Sequence, residues 1–236
     1  MKEMTRRNFI KTSAVGACGA AAMAMMPGMM RASAEEAGAA NPAAGKKKNI
    51  VVLVGGSPAG NTVKLADAFA QGATEAGHTV TSFFLGSMQI GCCLGCDGCR
   101  YGKGCVQKDD MGQIYDAVKT ADMVVFASAM RYWTITGVVK NVIERLYATC
   151  SEDKNPPKGR YEKYPDMDCA LLMTAADDNW WTFDQAEKYY DYVVVNYLGW
   201  HDRGKVLAGA CGGCGSPKCV ETTGWLEKAA EFGKNL

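Results

Sequence analysis

The sequence is short of histidine and lacks the common nucleotide-binding signatures. Its two histidines, His78 and His201, follow the turn residues Gly77 and Gly199-Trp200, so we predict loop or surface positions for them rather than catalytic roles. The chain has no Gly-x-Gly-x-x-Gly run, and no glycine-rich loop ends in Lys-Ser/Thr. These absences argue against a standard dinucleotide site and against a nucleotide hydrolase. No internal repeats are present.

A basic surplus is also missing outside the N terminus. Residues 1–34 hold five Lys or Arg and one acid, so a formal charge of +1 for the whole sequence leaves −3 for the remainder. A mildly acidic domain lacks the positive electrostatic potential that attracts nucleic acid, and we therefore predict no nucleic-acid partner. The composition, 48% hydrophobic and 22% charged, suits one α/β domain with a full-sized core.

The N-terminal segment resembles a twin-arginine export signal. The pair Arg6-Arg7 precedes an apolar stretch rich in Ala, Met and Gly, and Ala32-Ser33-Ala34 supplies small residues for cleavage. The apolar stretch is short of a membrane span. We therefore predict a signal at 1–34, a flexible tether at 35–48, a domain at 49–236, a periplasmic or other extracytoplasmic location, and no stable membrane span after cleavage. An uncleaved anchoring helix is the alternative.

An apolar run that leads directly into a loop of small residues is the most informative local feature. Residues 50–54 form a β-branched and Leu run suited to a strand covered on both faces. Residues 55–62 follow with glycines, Ser57, Asn61 and Thr62, and a helical pattern then begins. Glycines allow close backbone approach, and a helix start offers unpaired N–H groups and a positive dipole end. We predict a seat for a small phosphate-bearing cofactor; a tight packing turn is the alternative.

Strands and helices alternate along the rest of the domain. Further strands are predicted near 79–85, 123–127, 169–173 and 206–208, and helices over 62–76, 111–120, 137–147, 183–198 and 223–235, with Asp110 as an N-cap. This order implies a parallel sheet with right-handed crossovers. Ligands of such sheets bind beyond the carboxyl ends of the strands.

Three motifs give residues 49–236 a family resemblance. They are Gly56-Ser57-Pro58 with Asn61-Thr62, the cysteine run from Cys93 through Cys105 to Met111, and Ser128 onward through Gly137, Lys140, Glu144 and Arg145. The chain resembles the flavodoxin-like superfamily, in its branch of NAD(P)H-dependent FMN reductases and iron-sulfur flavoproteins. The resemblance implies an α/β fold with a doubly wound five-stranded parallel sheet of order 2-1-3-4-5, and FMN bound without a covalent link. The implied FMN contacts are Ser57, Pro58, Gly60, Asn61, Thr62, Ser128, Ala129, Met130, Arg131, Tyr132, Trp133, Thr174 and Ala175.

The loop after the third strand departs from the family pattern. Ala129 stands where the family often has proline, and Arg131 where it often has an aromatic residue. We hypothesise that Arg131 lies near the pyrimidine edge of the flavin, where a fixed cation would stabilise the charge of the reduced ring. An ion pair with Asp177 or Asp178 is the alternative.

Four cysteines form a compact set. Cys93, Cys96, Cys99 and Cys105 are separated by two, two and five residues, a spacing that lets thiolates on one loop enclose a metal cluster. The resemblance implies a [4Fe-4S] cluster; zinc and disulfides are the alternatives, the latter because the compartment is oxidising. Cys92 is left as a spare.

A second set, Cys211, Cys214 and Cys219, lies in a glycine-rich loop after the last strand. Three thiols are one short of a site, and Cys150 or Cys169 could supply a fourth. We favour disulfides over a second cluster, because the resembling family offers no precedent for a metal there.

The sequence thus predicts an exported FMN-dependent oxidoreductase of the NAD(P)H:acceptor type. Because export separates it from NAD(P)H, a quinol or a redox protein is the expected donor, with a small-molecule or protein acceptor. The resemblance implies a homodimer or tetramer. A non-enzymatic flavin electron carrier and a cofactor-free, disulfide-stapled binding protein are the alternatives.

Overall fold

Five parallel strands form one sheet in the computed structural model, which describes residues 46–99, 103–149, 167–212 and 220–236. The strands are β1 Asn49–Gly55, β2 Thr79–Phe84, β3 Met123–Ala129, β4 Asp168–Thr174 and β5 His201–Ala208. Their order is β2-β1-β3-β4-β5, and all four pairings are parallel. The predicted sheet and its strand order are confirmed.

Five α-helices connect or flank these strands within the described residues. They are α1 Asn61–Glu75, α2 Met111–Val118, α3 Gly137–Arg145, α4 Asp184–Tyr190 and α5 Trp225–Lys234, with 3₁₀ turns at Leu85–Ser87, Leu146–Thr149 and Val220–Thr222. The helix predicted over 183–198 is only half α-helical, because it changes to a π-helix at Asp191–Tyr197. Within the described part of the chain, no helix combines the length and the hydropathy needed to cross a bilayer.

The apolar residues of β1 contribute side chains to two hydrophobic cores, one on each face of the sheet. Successive side chains of a strand point to opposite faces. Val51 and Leu53 accordingly pack into the core beneath α2, α3 and α4, whereas Ile50 and Val52 pack into the core beneath α1 and α5. The sheet is therefore covered on both sides, as a continuous β-branched run requires.

Two glycines allow α1 and α5 to cross with their backbones in contact. A Cβ atom added to Gly72 would collide with the carbonyl oxygen of Ala230, and one added to Gly233 would collide with that of Phe69. No larger residue fits at either position without separating the helices. The turn that precedes α5 lies beside the start of α1, where Asn61 accepts the Val220 N–H at 3.3 Å and Lys64 pairs with Glu221.

Two local details differ from the predictions. Asp110 precedes α2 but makes no side-chain cap; its carboxylate instead accepts the backbone N–H of Gln89 at 2.7 Å. Lys48, placed at the end of the predicted tether, is buried and its ammonium lies 3.1 Å from Asp168. The predicted signal, 1–34, and tether residues 35–45 lie outside the described residues.

Candidate functional site

A cavity of about 450 Å³ lies beyond the carboxyl ends of β1, β3 and β4. We call it the strand-end cavity. Nine of the thirteen predicted FMN contacts line it: Ser57, Gly60, Asn61, Thr62, Ala129, Met130, Arg131, Thr174 and Ala175. Sequence reasoning missed Ala176, Cys211 and Gly212, which also line it. Their position just after β4 and β5 is the signal that could have indicated them.

The loop between β1 and α1 forms one wall of this cavity and leads into a helix start that suits an anion. Gly60 is the N-cap of α1 but supplies no side-chain cap, and the first turn of the helix contains no acidic residue. A Ser57 carbonyl that accepts the Gly60 N–H at 3.0 Å closes the turn before the helix. The N–H groups of the first turn are thus left for a ligand, and the helix dipole favours a negative one. Pro58 is exposed and does not line the cavity.

Two buried hydroxyls join α1 to the end of β4. The Oγ1 atoms of Thr62 and Thr174 are 2.6 Å apart, and both residues line the cavity. The hydrogen bond between them uses one hydroxyl proton, so the other hydroxyl can still donate. The pair therefore fixes the helix start against the sheet and also offers a donor to a phosphate oxygen.

Asn61 has a role that its sequence position did not reveal. Its Nδ2 donates to the Cys211 carbonyl at 3.2 Å, and its Oδ1 accepts the Val220 N–H at 3.3 Å. The side chain thus connects α1 to both flanks of the segment 213–219, which lies outside the described residues. A phosphate contact from Asn61 would use its backbone N–H or the second hydrogen of Nδ2.

The loop after β3 contains a tight turn with two aromatic residues. Arg131 and Thr134 exchange backbone hydrogen bonds of 2.9 and 3.0 Å, and Tyr132 and Trp133 between them adopt positive φ angles of 47° and 59°. Such angles are unusual for bulky residues. Tyr132 is 91% exposed and Trp133 packs on Trp181, with ring centroids 5.5 Å apart. Neither of the two predicted contacts lines the cavity.

Ser128 acts beneath this loop rather than in the cavity. It is fully buried, and its hydroxyl accepts the Thr136 N–H at 2.9 Å and donates to the Ala129 carbonyl at 3.0 Å. These bonds tie the end of β3 to the residue before α3. The predicted contact Ser128 therefore supports the loop from below.

Arg131 lines the strand-end cavity with an exposed side chain. Its guanidinium donates to the Met130 carbonyl at 3.0 Å. None of the ion pairs formed by described residues joins it to Asp177 or Asp178. The geometry leaves the cation at the cavity, as the flavin-tuning hypothesis requires.

A second cavity, of about 660 Å³, lies between the β2–α2 loop and the α3 and π-helical segments. We call it the cysteine cavity. Cys93, Cys96, Cys99 and Cys105 all line it, together with Leu94, Gly95, Asp97, Val106, Gln107, Lys140, Ile143, Glu144, Tyr147, Tyr189, Val193, Tyr197 and Leu198. Most of this lining is apolar. Neither His78 nor His201 lines either cavity.

One buried arginine on α3 anchors the loop that carries the four cysteines. Arg145 is 2% exposed. Its guanidinium pairs with the Asp109 carboxylate and donates to the Gly91 carbonyl at 3.3 Å and the Cys105 Sγ at 3.4 Å. It therefore holds both ends of the loop. A hydrogen bond from Arg145 lowers the pKa of Asp109 to about 2 against the opposing effect of burial.

The four thiols share a cavity but are not gathered around one point. Among the described residues, no three His, Cys, Asp or Glu side chains are arranged to hold a metal ion. Burial, reinforced by the neighbouring thiols, raises the pKa of Cys99. Burial opposes ionisation of Cys105 as well, but hydrogen bonds from the Gln107 backbone and from Arg145 outweigh it and lower that pKa. The donor chemistry suits an iron-sulfur cluster, although the described side chains do not form a ready-made metal-binding group.

The second cysteine set falls mainly outside the described residues, which exclude Cys150, Cys214 and Cys219. Cys211 is buried in the core beneath α1 and α5. Cys169 is buried in the opposite core, where the Tyr190 hydroxyl lies 3.0 Å from its sulfur. The sheet separates the two residues, so Cys169 does not supply a ligand beside Cys211.

The strand order, the helices on both faces and the cavity at the strand ends define a flavodoxin-like α/β protein. Residues 49–161 match the family described as NADPH-dependent FMN reductase. Over this segment, 113 of the 236 residues, the predicted resemblance to FMN reductases is confirmed.

Sequence relatives agree with this assignment over part of the chain. An iron-sulfur flavoprotein of Archaeoglobus fulgidus is 33% identical over 96 residues, 40% of this chain and 47% of that protein. One of Methanocaldococcus jannaschii is 31% identical over 87 residues, 36% of this chain and 44% of that protein. The chain thus spans less than half the length of these curated relatives.

Solved structures with the same fold cover more of the chain. An NAD(P)H:quinone oxidoreductase from Methanothermobacter marburgensis has a TM-score of 0.63 at 15% identity, covering 80% of this chain and 96% of that one. An azoreductase from Bacillus anthracis has a TM-score of 0.60 at 21% identity, covering 81% and 100%. At these identities the likeness shows the fold alone.

Proposed function

We propose that this protein is an FMN-dependent oxidoreductase, exported by the twin-arginine route, that passes electrons to a small-molecule or protein acceptor. The strand-end cavity carries the proposal, because nine residues predicted as FMN contacts from the sequence line it. The match of residues 49–161 to a family of FMN reductases supports the same cofactor.

The residues of the cavity divide the binding of FMN between them. The first turn of α1 and the Thr62–Thr174 hydroxyl pair would hold the phosphate. Backbone groups of the loops after β3 and β4 would contact the ring, and Arg131 would supply a cation beside it. Bound FMN supplies one-electron and hydride transfer, which the protein positions and tunes.

We further infer that Cys93, Cys96, Cys99 and Cys105 hold a [4Fe-4S] cluster. Their compact spacing and their common cavity support this assignment, as do partial relatives named iron-sulfur flavoproteins. Arg145 would orient the fourth ligand through its contact with the Cys105 sulfur.

The predicted export and the family resemblance also suggest an electron donor, an electron acceptor and an oligomeric state. Export would remove the enzyme from NAD(P)H, so a quinol or a redox protein is the proposed donor. A homodimer or tetramer is the proposed assembly. An electron carrier with the same cofactors would exchange electrons with proteins but would not turn over quinones or nitro compounds.

Anaerobic purification of the full chain, made with cluster-assembly machinery, tests both cofactors. We expect flavin absorbance with about one FMN, about four irons and about four sulfides per chain. Cys96→Ser should lose the iron and keep FMN, whereas the matched variant Cys92→Ser should keep both. Flavin without iron would contradict the cluster and leave the cysteines as thiols or disulfides. A colourless protein would contradict the flavin reading.

A further inference from the structure

The cysteine cavity extends well past the thiols onto an apolar wall. Its volume of about 660 Å³ falls within the range of small-molecule sites, about 300–1,000 Å³. We propose that this wall binds an uncharged, planar ring compound of the quinone class, at a site separate from the strand-end cavity. The wall is formed by Lys140, Tyr147, Tyr189, Val193, Tyr197 and Leu198.

The shape of the wall comes from the π-helix. Asp191–Tyr197 follows α4 without a break, and π-helical turns are rare and frequently lie at functional sites. Tyr189, Val193 and Tyr197 line the cavity, whereas Tyr192 in the same segment is 69% exposed. The segment thus directs one set of side chains into the cavity and another to solvent.

The lining favours a flat aromatic ligand. Three tyrosine rings, those of Tyr147, Tyr189 and Tyr197, surround a largely apolar space. Aromatic side chains pack against planar rings in stacked or edge-on geometry and keep a polar group at the end of the ring. Val193 and Leu198 supply aliphatic contacts between them.

The charges favour an uncharged ligand with acceptor oxygens. Lys140, the one Lys or Arg of the lining, is paired with Glu144, which also lines the cavity. Asp97 adds a further carboxylate. An anionic ligand would therefore meet no surplus of positive charge. The Lys140 ammonium and the tyrosine hydroxyls are donors, and the two carbonyl oxygens of a quinone are matching acceptors.

Binding is measured on the full chain with FMN bound, in the oxidised state and without a reductant. The probe is 2,3-dimethyl-1,4-naphthoquinone, whose methyl groups occupy the two carbons to which a thiol would add. Equilibrium dialysis gives its affinity. Val193→Trp fills the cavity, Tyr189→Ala removes a ring, and Tyr192→Ala is the matched control on the exposed side of the same segment.

We expect the wild type and Tyr192→Ala to bind the probe equally, and Val193→Trp and Tyr189→Ala to bind it about tenfold more weakly. Equal affinity for all four proteins would overturn the proposal, as would no binding to the wild type. The flavin absorbance of each sample reports the FMN site separately, so a wild type that retains FMN but does not bind the probe contradicts this inference alone.

Discussion

The strand-end cavity and the cysteine cavity are assembled in different ways. The first takes its walls from segments that directly follow β1, β3 and β4, so the sheet itself sets their spacing. The second takes half of its wall from the long loop between β2 and α2. Arg145 of α3 bonds to Gly91, Cys105 and Asp109 of that loop, and Asn141 of the same helix donates to the Ile90 carbonyl.

This difference teaches where each site is vulnerable. A change in one loop residue at the strand ends leaves the remaining walls in place, because separate strands carry them. A change in Arg145 removes contacts at Gly91, Cys105 and Asp109 of the cysteine loop together. We therefore expect a substitution that damages one of the two sites to leave the other site intact.

Arg145→Met gives the largest expected effect. Removing the guanidinium leaves the Asp109 carboxylate without its partner and the Gly91 carbonyl without a donor, and breaking a buried ion pair costs about 3 kcal/mol. Urea unfolding should show this loss, whereas Lys119→Met, which breaks a surface pair with Asp116, should change stability by less than about 0.5 kcal/mol. FMN affinity of the folded variant should match the wild type. A parallel loss of FMN affinity in folded protein would contradict the independence of the sites.

The pH dependence of stability tests the ion pair between Arg145 and Asp109 separately. Arg145 holds the pKa of Asp109 at about 2, below its ordinary value of 3.8. A carboxylate whose pKa is lower in the folded than in the unfolded state stabilises the fold at pH values above its unfolded-state pKa. This stabilisation is lost as the pH falls through the folded-state pKa. Stability should thus decline by about 1–2 kcal/mol more in the wild type than in Asp109→Asn as the pH drops from about 5 towards 2. Parallel curves for the two proteins would count against the anchor.

Thr62→Val probes the strand-end cavity with a smaller effect. The variant leaves the buried Thr174 hydroxyl unpaired, at a cost of about 1–2 kcal/mol. The double variant with Thr174→Val should be no less stable than the single one, because both polar groups are then gone. Thr74→Val, on the exposed face of the same helix, is the control. FMN affinity should fall in both Thr62 variants; additive stability losses would refute the coupling.

Arg131→Leu should have the smallest effect. The exposed cation favours the negative charge of the reduced flavin, so its removal should lower the midpoint potential by about 20 mV. Arg203→Leu, which removes a cation paired with Asp168 at the opposite end of the sheet, should leave the potential unchanged. Spectroelectrochemical titration measures both. An unchanged potential in Arg131→Leu would end the tuning hypothesis.

The sequence predicted the features that follow from periodicity. The run at 50–54, covered on both faces, and the alternation of strands and helices were sufficient to place β1 and to predict the strand order through the resemblance. Parallel topology then brings the loops after β1, β3 and β4 to one edge. That is why most predicted FMN contacts line one cavity.

Features that depend on side-chain direction could not be predicted in the same way. Asn61 and Asp110 are typical polar residues of helix starts, but their side chains bond to other loops. Tyr132 and Trp133 occupy a tight turn that usually contains glycine or asparagine. The π-helix at Asp191–Tyr197 has no distinct apolar period. The bonds of Asn61 and Asp110 join segments far apart in the chain, which sequence patterns do not reveal.

A comparison of FMN with riboflavin tests the central claim most directly. The two flavins share a ring and differ in the phosphate, which the first turn of α1 and the Thr62–Thr174 pair are proposed to hold. Flavin-fluorescence titration of the full chain, stripped of cofactor, should give FMN an affinity at least about 100-fold higher than that of riboflavin. Equal affinities, or no binding of FMN, would contradict the assignment of the strand-end cavity.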